Sequence, residues 1–270
     1  WKQESSFVVQ DSVLQWKHYL FVDILLMKKT RVAINGFGRI GRSFFRVAFE
    51  YSHIEIVAIN DLGDVENLAY LLKYDSAQGK YQHDIQTGKK ENPTLTVDGK
   101  KIPVLSVKDP GELPWKELNV DVVLESTGVF AGFEKSKPHL DAGAKRVVIS
   151  APVKDEPPQG ISGATVLMGV NDERLKVCDI SSNASCTTNA GSPVIQILHE
   201  TLGIEKALLS TVHGYTATQS LVDSPNNKDP RRGRAAAVNI IPSSTGAAVA
   251  TTKAITELEG KFDGVAMRVP

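Results

Sequence analysis

One segment limits what this chain can become more than any other: Gly36-Phe37-Gly38-Arg39-Ile40-Gly41, set between a short apolar run and an amphipathic stretch. The run Arg31-Val32-Ala33-Ile34-Asn35 predicts a buried strand, and Arg42 to Glu50 places Phe44, Phe45, Val47 and Ala48 at roughly helical spacing. A second apolar run, Ile54 to Ile59, ends at Asn60-Asp61. Two such strands joined by a helix predict a parallel βαβ unit buried on both faces. A glycine triplet alone occurs often by chance. Here an acid, Asp61, falls 20 residues beyond the third glycine, which is the spacing of a dinucleotide-binding turn. Gly36 would permit the tight turn, Gly38 the approach of a pyrophosphate to the backbone, and Gly41 close packing of helix on strand. The helix start would offer N–H groups to the phosphates, and Asp61 would accept from the adenosine ribose hydroxyls. That carboxylate repels a 2′-phosphate, and Leu62-Gly63-Asp64 brings no cation, so NAD is expected rather than NADP. The competing reading is a glycine-rich turn in some other doubly wound domain, with Asp61 capping the next element.

Further along, Gly88 to Val107 is rich in Lys, Thr, Gly and Pro and predicts short strands, with Asp98-Gly99 as a hairpin turn. Asp121 to Glu125 and Arg146 to Ser150 predict two more buried strands. Between them a helix is expected from Phe133 to Ala142, closed by Gly143. Lys154 to Gly163 reads as a loop. A second region begins near Ser181. It holds a helix from about Thr188 to Leu202, with Pro193 placed in its first turn and Gly203 just past its end, and then a strand from Ala207 to Val212. The expected class is α/β: a Rossmann-type doubly wound parallel sheet followed by an incomplete α+β domain.

A length of 270 residues allows two domains, and a net charge of zero provides no basic field for nucleic acid or an acidic membrane. No apolar run approaches the length of a bilayer span. Two cysteines, Cys178 and Cys186, make no disulfide framework, so a reduced, cytoplasmic compartment is expected. The histidines show no metal-ligand spacing, and no metal is expected. Tyr19 to Met27 is apolar but short, is broken by Asp23 and lacks a small-residue cleavage site, which makes a poor signal peptide. Met27 is the expected native start, and residues 1–27 read as a non-native or disordered extension.

The segment Ser182-Asn183-Ala184-Ser185-Cys186-Thr187-Thr188-Asn189 places Cys186 at the end of a strand and the start of a helix, where the helix dipole favours a thiolate. A lone cysteine is most often a packing residue. Against that stand its small hydroxyl neighbours, its place at a helix start, and His213 at the end of the next strand. If those two strands are parallel neighbours, their ends bring Cys186 and His213 together.

The segments Ile34-Asn35-Gly36-Phe37-Gly38-Arg39-Ile40-Gly41-Arg42, Ala184-Ser185-Cys186-Thr187-Thr188-Asn189, Arg231-Arg232-Gly233-Arg234 and Met267-Arg268-Val269-Pro270 resemble the phosphorylating glyceraldehyde-3-phosphate dehydrogenases, collinearly from about Met27 to Pro270. The resemblance implies an NAD-binding Rossmann domain over 28–180 and part of a catalytic domain over 181–270. It implies Cys186 as nucleophile and His213 as general base, with Arg39, Ile40, Asp61, Lys108 and Ser150 lining the NAD site. Lys108 stands where the family usually has arginine. Ser185, Thr187, Thr216, Arg232, Thr245, Gly246 and Arg268 are implied to bind the substrate phosphate and inorganic phosphate. The basic loop Lys228 to Arg234 reads as a solvated loop or, less readily, a nucleic-acid patch, whereas the resemblance implies an interface loop of a homotetramer. No nucleic acid or membrane partner is expected.

The implied chemistry suits these residue types. A thiolate adds to the aldehyde, a base takes the hydroxyl proton as hydride departs, and phosphate then attacks the thioester. Three departures stand out. Ala190-Gly191-Ser192 replaces a second cysteine and larger apolar residues, Val249 stands where lysine is frequent, and the chain ends at Pro270 before the family's remaining strands and C-terminal helix. A truncated chain with an exposed sheet edge is therefore expected. The rival functions are a related sugar-phosphate aldehyde dehydrogenase, such as one using erythrose 4-phosphate, and an NAD-binding protein without catalysis.

Overall fold

Strand β1 (Thr30–Asn35) forms because its apolar residues can be buried from both sides, and Ala33 and Ile34 are fully buried. The computed structural model describes residues 28–227 and 229–270. The expectations for residues 1–27, Met27 included, and for Lys228 lie outside the described residues. The described chain forms two units, one reaching Leu124 and including Asp141–Lys145, the other Glu125–Leu140 with Arg146–Pro270.

In the first unit, β1 is followed by α1 (Arg39–Ala48), β2 (Ile54–Asn60) and α2 (Val65–Lys73). Short strands β3 (Tyr74–Asp75), β4 (Gly79–Lys80) and β5 (Ile85–Thr87) come next, then β6 (Thr94–Val97), β7 (Lys100–Leu105) and β8 (Val122–Glu125, all but its last residue). The strand order is β8-β1-β2-β7-β6-β5. β1 and β7 run parallel to β2, whereas β5, β6 and β7 pair antiparallel, so the sheet is mixed at that edge. The expected hairpin turn joins β6 to β7, with Asp98 at φ 45° and Gly99 at φ 78°, the backbone that a two-residue turn between twisted strands requires. α1 lays Phe45 and Ala48 on the sheet, and Phe45 meets the Phe37 ring edge-on at 5.6 Å. Each fully buried aromatic stabilises the fold by about 2–3 kcal/mol, more than an exposed ion pair such as Arg31–Glu55 at about 0–1 kcal/mol.

The second unit contains α3 (Phe133–Asp141, all but its last residue), β9 (Arg146–Ile149), β10 (Gly163–Thr165), β11 (Ile180–Ser182), α4 (Cys186–Leu202), β12 (Ala207–Gly214), β13 (Ile241–Ser244), α5 (Ala247–Ala254) and β14 (Phe262–Val269). β11 lies between β9 and β10, parallel to both. β12, β14 and β13 form a separate three-stranded sheet in the order β12-β14-β13, parallel in the first pair and antiparallel in the second. One face of this sheet, through Ala207, Leu209 and Phe262, packs on Ile195 of α4 and Ala248 of α5. β14, the last strand, is the central one, and β12 and β13 are the edges of this sheet among the described residues.

α4 begins earlier than the spacing suggested, with Ser185 as its N-cap and Cys186 as its first residue. Pro193 therefore lies inside the helix, not in its first turn, where its missing N–H leaves one rung of the ladder open. Gly203 ends the helix at φ 73°, a conformation that costs glycine nothing. The Ser192 hydroxyl lies 2.8 Å from that of Thr251, a buried polar clasp between α4 and α5.

Candidate active site

At the carboxyl end of β1 the first unit builds a cradle. Gly36 leaves the strand at φ 92°. The Phe37 N–H then donates to Asp61 Oδ2 at 2.7 Å, and the Gly63 N–H donates to Asp61 Oδ1 at 2.8 Å. Asp61 thereby ties the turn after β1 to the turn after β2, and each carboxylate oxygen keeps a second lone pair for a ligand. Gly38 is the N-cap of α1, without a capping side chain among the described residues and with no acid in the first turn. A Cβ built at Gly38 would meet no protein atom within 4 Å. The uncapped N–H groups, the positive helix end and this open space suit a pyrophosphate, so the residues present fit a dinucleotide.

A cleft of about 220 Å³ adjoins Asp61, lined also by Asp64, Lys90, Val104 and Ser106. Lys90 arrives from the β5–β6 loop. Sequence reasoning missed it, because a lysine in a loop carries no periodic signal. Arg39 forks onto Asp75 at 2.5 and 3.1 Å and holds that carboxyl well below the usual carboxylate range. Ile40 is exposed, whereas Gly41 is buried on the packed side of α1. Lys108 is exposed after β7, and Ser150 follows β9 with its N–H donating to the Glu125 carbonyl at 2.9 Å.

In the second unit the approach to Cys186 is over-determined. Ala184 is buried at φ 52°, left-handed backbone that costs a non-glycine residue about 1–2 kcal/mol. Its N–H donates to Ser182 Oγ at 3.1 Å. The Asn189 side chain reaches back and donates to the carbonyls of Asn183 and Ser185 at 2.7 and 2.9 Å. The Ser185 hydroxyl accepts from the Thr188 N–H at 3.1 Å. Ser185 is thus engaged in capping, and Asn189 is a positioning residue that its place in the motif did not reveal.

The exposed Cys186 Sγ stands 3.1 Å from His213 Nε2. The expected route to that meeting is corrected: β11 and β12 are not neighbours, because among the described residues β12 pairs only with β14, in a different sheet. His213 reaches the sulfur because it lies on the sheet face that α4 and α5 cover. Arg268 is its register partner on β14. Arg268 Nη1 lies 2.6 Å from His213 Nδ1 and 3.2 Å from the Gly214 carbonyl, itself 2.6 Å from Nδ1.

No hydrogen bond joins Thr187, Thr216, Arg232 or Thr245 to Cys186 or His213 among the described residues. Thr216 bonds the Thr218 hydroxyl at 3.0 Å, and Thr245 Oγ1 accepts from the Ala247 N–H beside Gly246, the N-cap of α5. Arg231 and Arg234 pair with Asp229 and Asp223, which neutralises much of the basic loop. Arg232 instead donates to Ser243 Oγ at 2.8 Å, and its buried Nε has no partner among the described residues. An orphaned guanidinium N–H of this kind suits an anion. Burial pushes the Cys178 thiol up, which marks it as inert.

Comparison with known proteins agrees with this arrangement. Residues 30–132 match the family model of the glyceraldehyde 3-phosphate dehydrogenase NAD binding domain, and residues 185–270 match that of the glyceraldehyde 3-phosphate dehydrogenase C-terminal domain. The chain is 48% identical over 241 residues to glyceraldehyde-3-phosphate dehydrogenase B of Aspergillus oryzae, covering 89% of this chain and 69% of that protein. It is 50% identical over 243 residues to the glyceraldehyde-3-phosphate dehydrogenase of Streptomyces coelicolor, covering 89% and 69%. It is 50% identical over 240 residues to that of Salmonella typhimurium, covering 89% and 70%. A Rossmann unit that fits NAD, a cysteine on a helix start beside a histidine, and these matches lead to one conclusion: the chain belongs to the glyceraldehyde-3-phosphate dehydrogenase family.

Proposed function

We propose that this chain oxidises D-glyceraldehyde 3-phosphate to 1,3-bisphosphoglycerate with NAD and inorganic phosphate, through a thioester on Cys186. The observation that carries this reading is the 3.1 Å contact between Cys186 Sγ and His213 Nε2 at the start of α4. The sulfur adds to the aldehyde carbon and forms a hemithioacetal. His213 Nε2 takes the proton of its hydroxyl, so that the oxygen's electrons form the thioester carbonyl as hydride departs. The backbone N–H of Cys186, at the first helical position and outside the intrahelical ladder, donates to the developing oxyanion. NAD, when bound by the Gly36–Gly41 turn and Asp61, supplies the hydride acceptor. A phosphate oxygen then attacks the thioester carbon and expels the Cys186 thiolate, which leaves an acyl phosphate. Arg232 and Arg268, with Ser185, Thr187, Thr216, Thr245 and Gly246, bind the two phosphate groups. Lys108 joins Arg39 and Ile40 in the NAD site of the first unit.

The test is NADH formation from glyceraldehyde 3-phosphate, with and without inorganic phosphate. Sustained turnover that needs phosphate supports the reading. Faster turnover of erythrose 4-phosphate reassigns the substrate, and no NADH from either aldehyde removes the activity.

Self-association, as a homotetramer, is part of the proposal. The sheet face opposite the helices exposes Leu208, Val212, Val265 and Met267, at 69, 66, 50 and 37%. Val212 and Met267 are register partners on β12 and β14, while Val265 pairs with Ser210 and Leu208 with Asp263, so apolar side chains alternate with polar ones on this face. Sedimentation velocity reads the assembly directly. A cytoplasmic location is proposed because Cys186 must remain reduced to act. Among the described residues no helix is long and apolar enough to cross a membrane.

A further inference from the structure

We propose that Ser182 is a positioning residue for Cys186, its buried hydroxyl acting through the left-handed backbone at Ala184. The proposal rests on the reading of Cys186 as the nucleophile and adds the group that ties its turn to the sheet.

Ser182 is the last residue of β11 and is fully buried. Its backbone is held from both sides. It pairs with Ile149 of β9 and with Thr165 of β10. Its carbonyl accepts from the Val166 N–H at 2.9 Å, and the Asn183 N–H donates to the Ile149 carbonyl at 2.8 Å. Residues 182 and 183 are therefore a fixed reference point. Beyond them the ladder ends, and the N–H of buried Ala184 needs an acceptor from a side chain. Ser182 Oγ supplies it at 3.1 Å, while the same hydroxyl donates its one hydrogen to the Ala151 carbonyl at 2.7 Å. Donation polarises the oxygen and makes it a better acceptor. The position thus requires a group that donates once and accepts once from a short stem, which is what serine offers.

Ala184 stands two residues before the sulfur at φ 52°, a conformation that alanine seldom adopts unaided. A return to right-handed or extended backbone there would re-aim everything that follows, including the Cys186 N–H and side chain. Asn189 grips the carbonyls of Asn183 and Ser185 from the helix, and Ser182 grips the N–H between them from the strand. The turn is held at both ends. Cys186 Sγ lies 3.1 Å from His213 Nε2, and a displacement of about 1 Å at such a pair can cost about a hundredfold in rate. Ser192 provides a contrast in the same unit: it is equally buried, and its hydroxyl joins that of Thr251 at 2.8 Å, between two helices and away from the turn.

The experiment compares wild type, Ser182→Ala and Ser192→Ala as full chains, through the NADH burst from glyceraldehyde 3-phosphate without phosphate. The burst amplitude counts competent sites, and its rate reads attack and hydride departure. In Ser182→Ala the rate per competent site is expected to fall about tenfold to hundredfold, with the KM for aldehyde and for NAD within about threefold of wild type. Ser192→Ala is expected to lower the melting temperature and keep the wild-type burst rate. Ser182→Cys, close in volume but a feebler hydrogen-bonding group, replaces Ser182→Ala if that variant fails to fold, with a loss of rate in the same direction. A reduced amplitude at unchanged rate overturns the proposal, and so does an equal slowing in Ser192→Ala. A wild type without any burst counts against the dehydrogenase reading instead. Iodoacetamide labelling of Cys186, followed by peptide mass spectrometry without aldehyde or NAD, then decides the role of Ser182: labelling slowed in Ser182→Ala supports it, and labelling at the wild-type rate overturns it.

Discussion

The side-chain amide of Asn189 donates to the backbone carbonyl of Asn183 across 2.7 Å, bridging the first turn of α4 to the residue that leaves β11. Its second hydrogen bond, to the Ser185 carbonyl, closes the loop from the other side. Cys186 lies within that loop, so the sulfur's position depends on an amide that takes no part in the chemistry.

Asn189→Ala removes both bonds. The expected loss is about 1–3 kcal/mol of stability, with kcat/KM lowered about tenfold to hundredfold through misplacement of the sulfur. Urea unfolding and the NADH assay together read the two effects. Unchanged turnover would show that the helix cap alone positions Cys186.

Cys186→Ala is expected to abolish NADH formation and leave NAD affinity within about twofold, because the cradle at Gly36–Gly41 does not use the sulfur. Isothermal titration with NAD and the coupled assay separate the two. Substantial residual oxidation in the variant would exclude a thioester mechanism.

Gly38→Ala adds a methyl group where the fold leaves open space. The melting temperature is expected to change little, with a cost below about 1 kcal/mol at the helix cap, while NAD binding weakens by about tenfold or more as the methyl group meets the pyrophosphate. A variant that binds NAD as tightly as the parent would put the pyrophosphate elsewhere.

Ala184→Gly relieves about 1–2 kcal/mol of left-handed strain but loosens the unfolded chain and removes a buried methyl group, losses of about 1 kcal/mol each that offset the relief. Ala184→Val keeps the strain and adds a branch, for a loss of about 2 kcal/mol or more. Thermal unfolding of both variants checks the order.

His83 lies between two carboxylates, with Nδ1 2.6 Å from Asp98 and Nε2 2.6 Å from Glu50. The Asp98 hydrogen bond, followed by that of Glu50, outweighs the cost of burial and raises the His83 pKa above its ordinary value. A raised histidine pKa means that folding favours the charged ring. The stabilisation is therefore fully present below about pH 6.5 and is lost as pH rises through the raised value. Asp98, lowered by His83, contributes in the opposite sense: its share is lost as pH falls through its depressed value. The melting-temperature gap between wild type and His83→Gln is expected to be largest near pH 6 and to close towards pH 9. A gap independent of pH would assign His83 a packing role only, against Phe49 and Tyr81.

Much of the cradle could be read along the chain. Gly36, Gly38, Gly41 and Asp61 are separated by short, regular intervals, and a strand–turn–helix needs only local backbone geometry to form. The second role of Asp61, bracing Phe37 and Gly63, was hidden because nothing in a spacing distinguishes a carboxylate that meets ribose from one that also meets backbone. Pro193 was misplaced by counting, since even from Thr188 it is the sixth residue and past the first turn. The helix start was put at about Thr188, two residues after its observed first residue, and caps shift by a residue or two according to which side chain closes them.

The amino-acid order alone determined the nucleotide turn, a helix starting within two residues of Cys186 and the pairing of a reactive sulfur with an imidazole as the chemistry to expect. All three depend on interactions within a few residues or on residue type. Only the folded chain decided how the pair is assembled: His213 arrives from a sheet that β11 does not join, and Arg268, 55 residues further on, comes to lie against its far nitrogen. Strand register is set by which face of each strand can be buried against the helices above it. That is a property of the packed whole, with no counterpart in any short stretch of sequence.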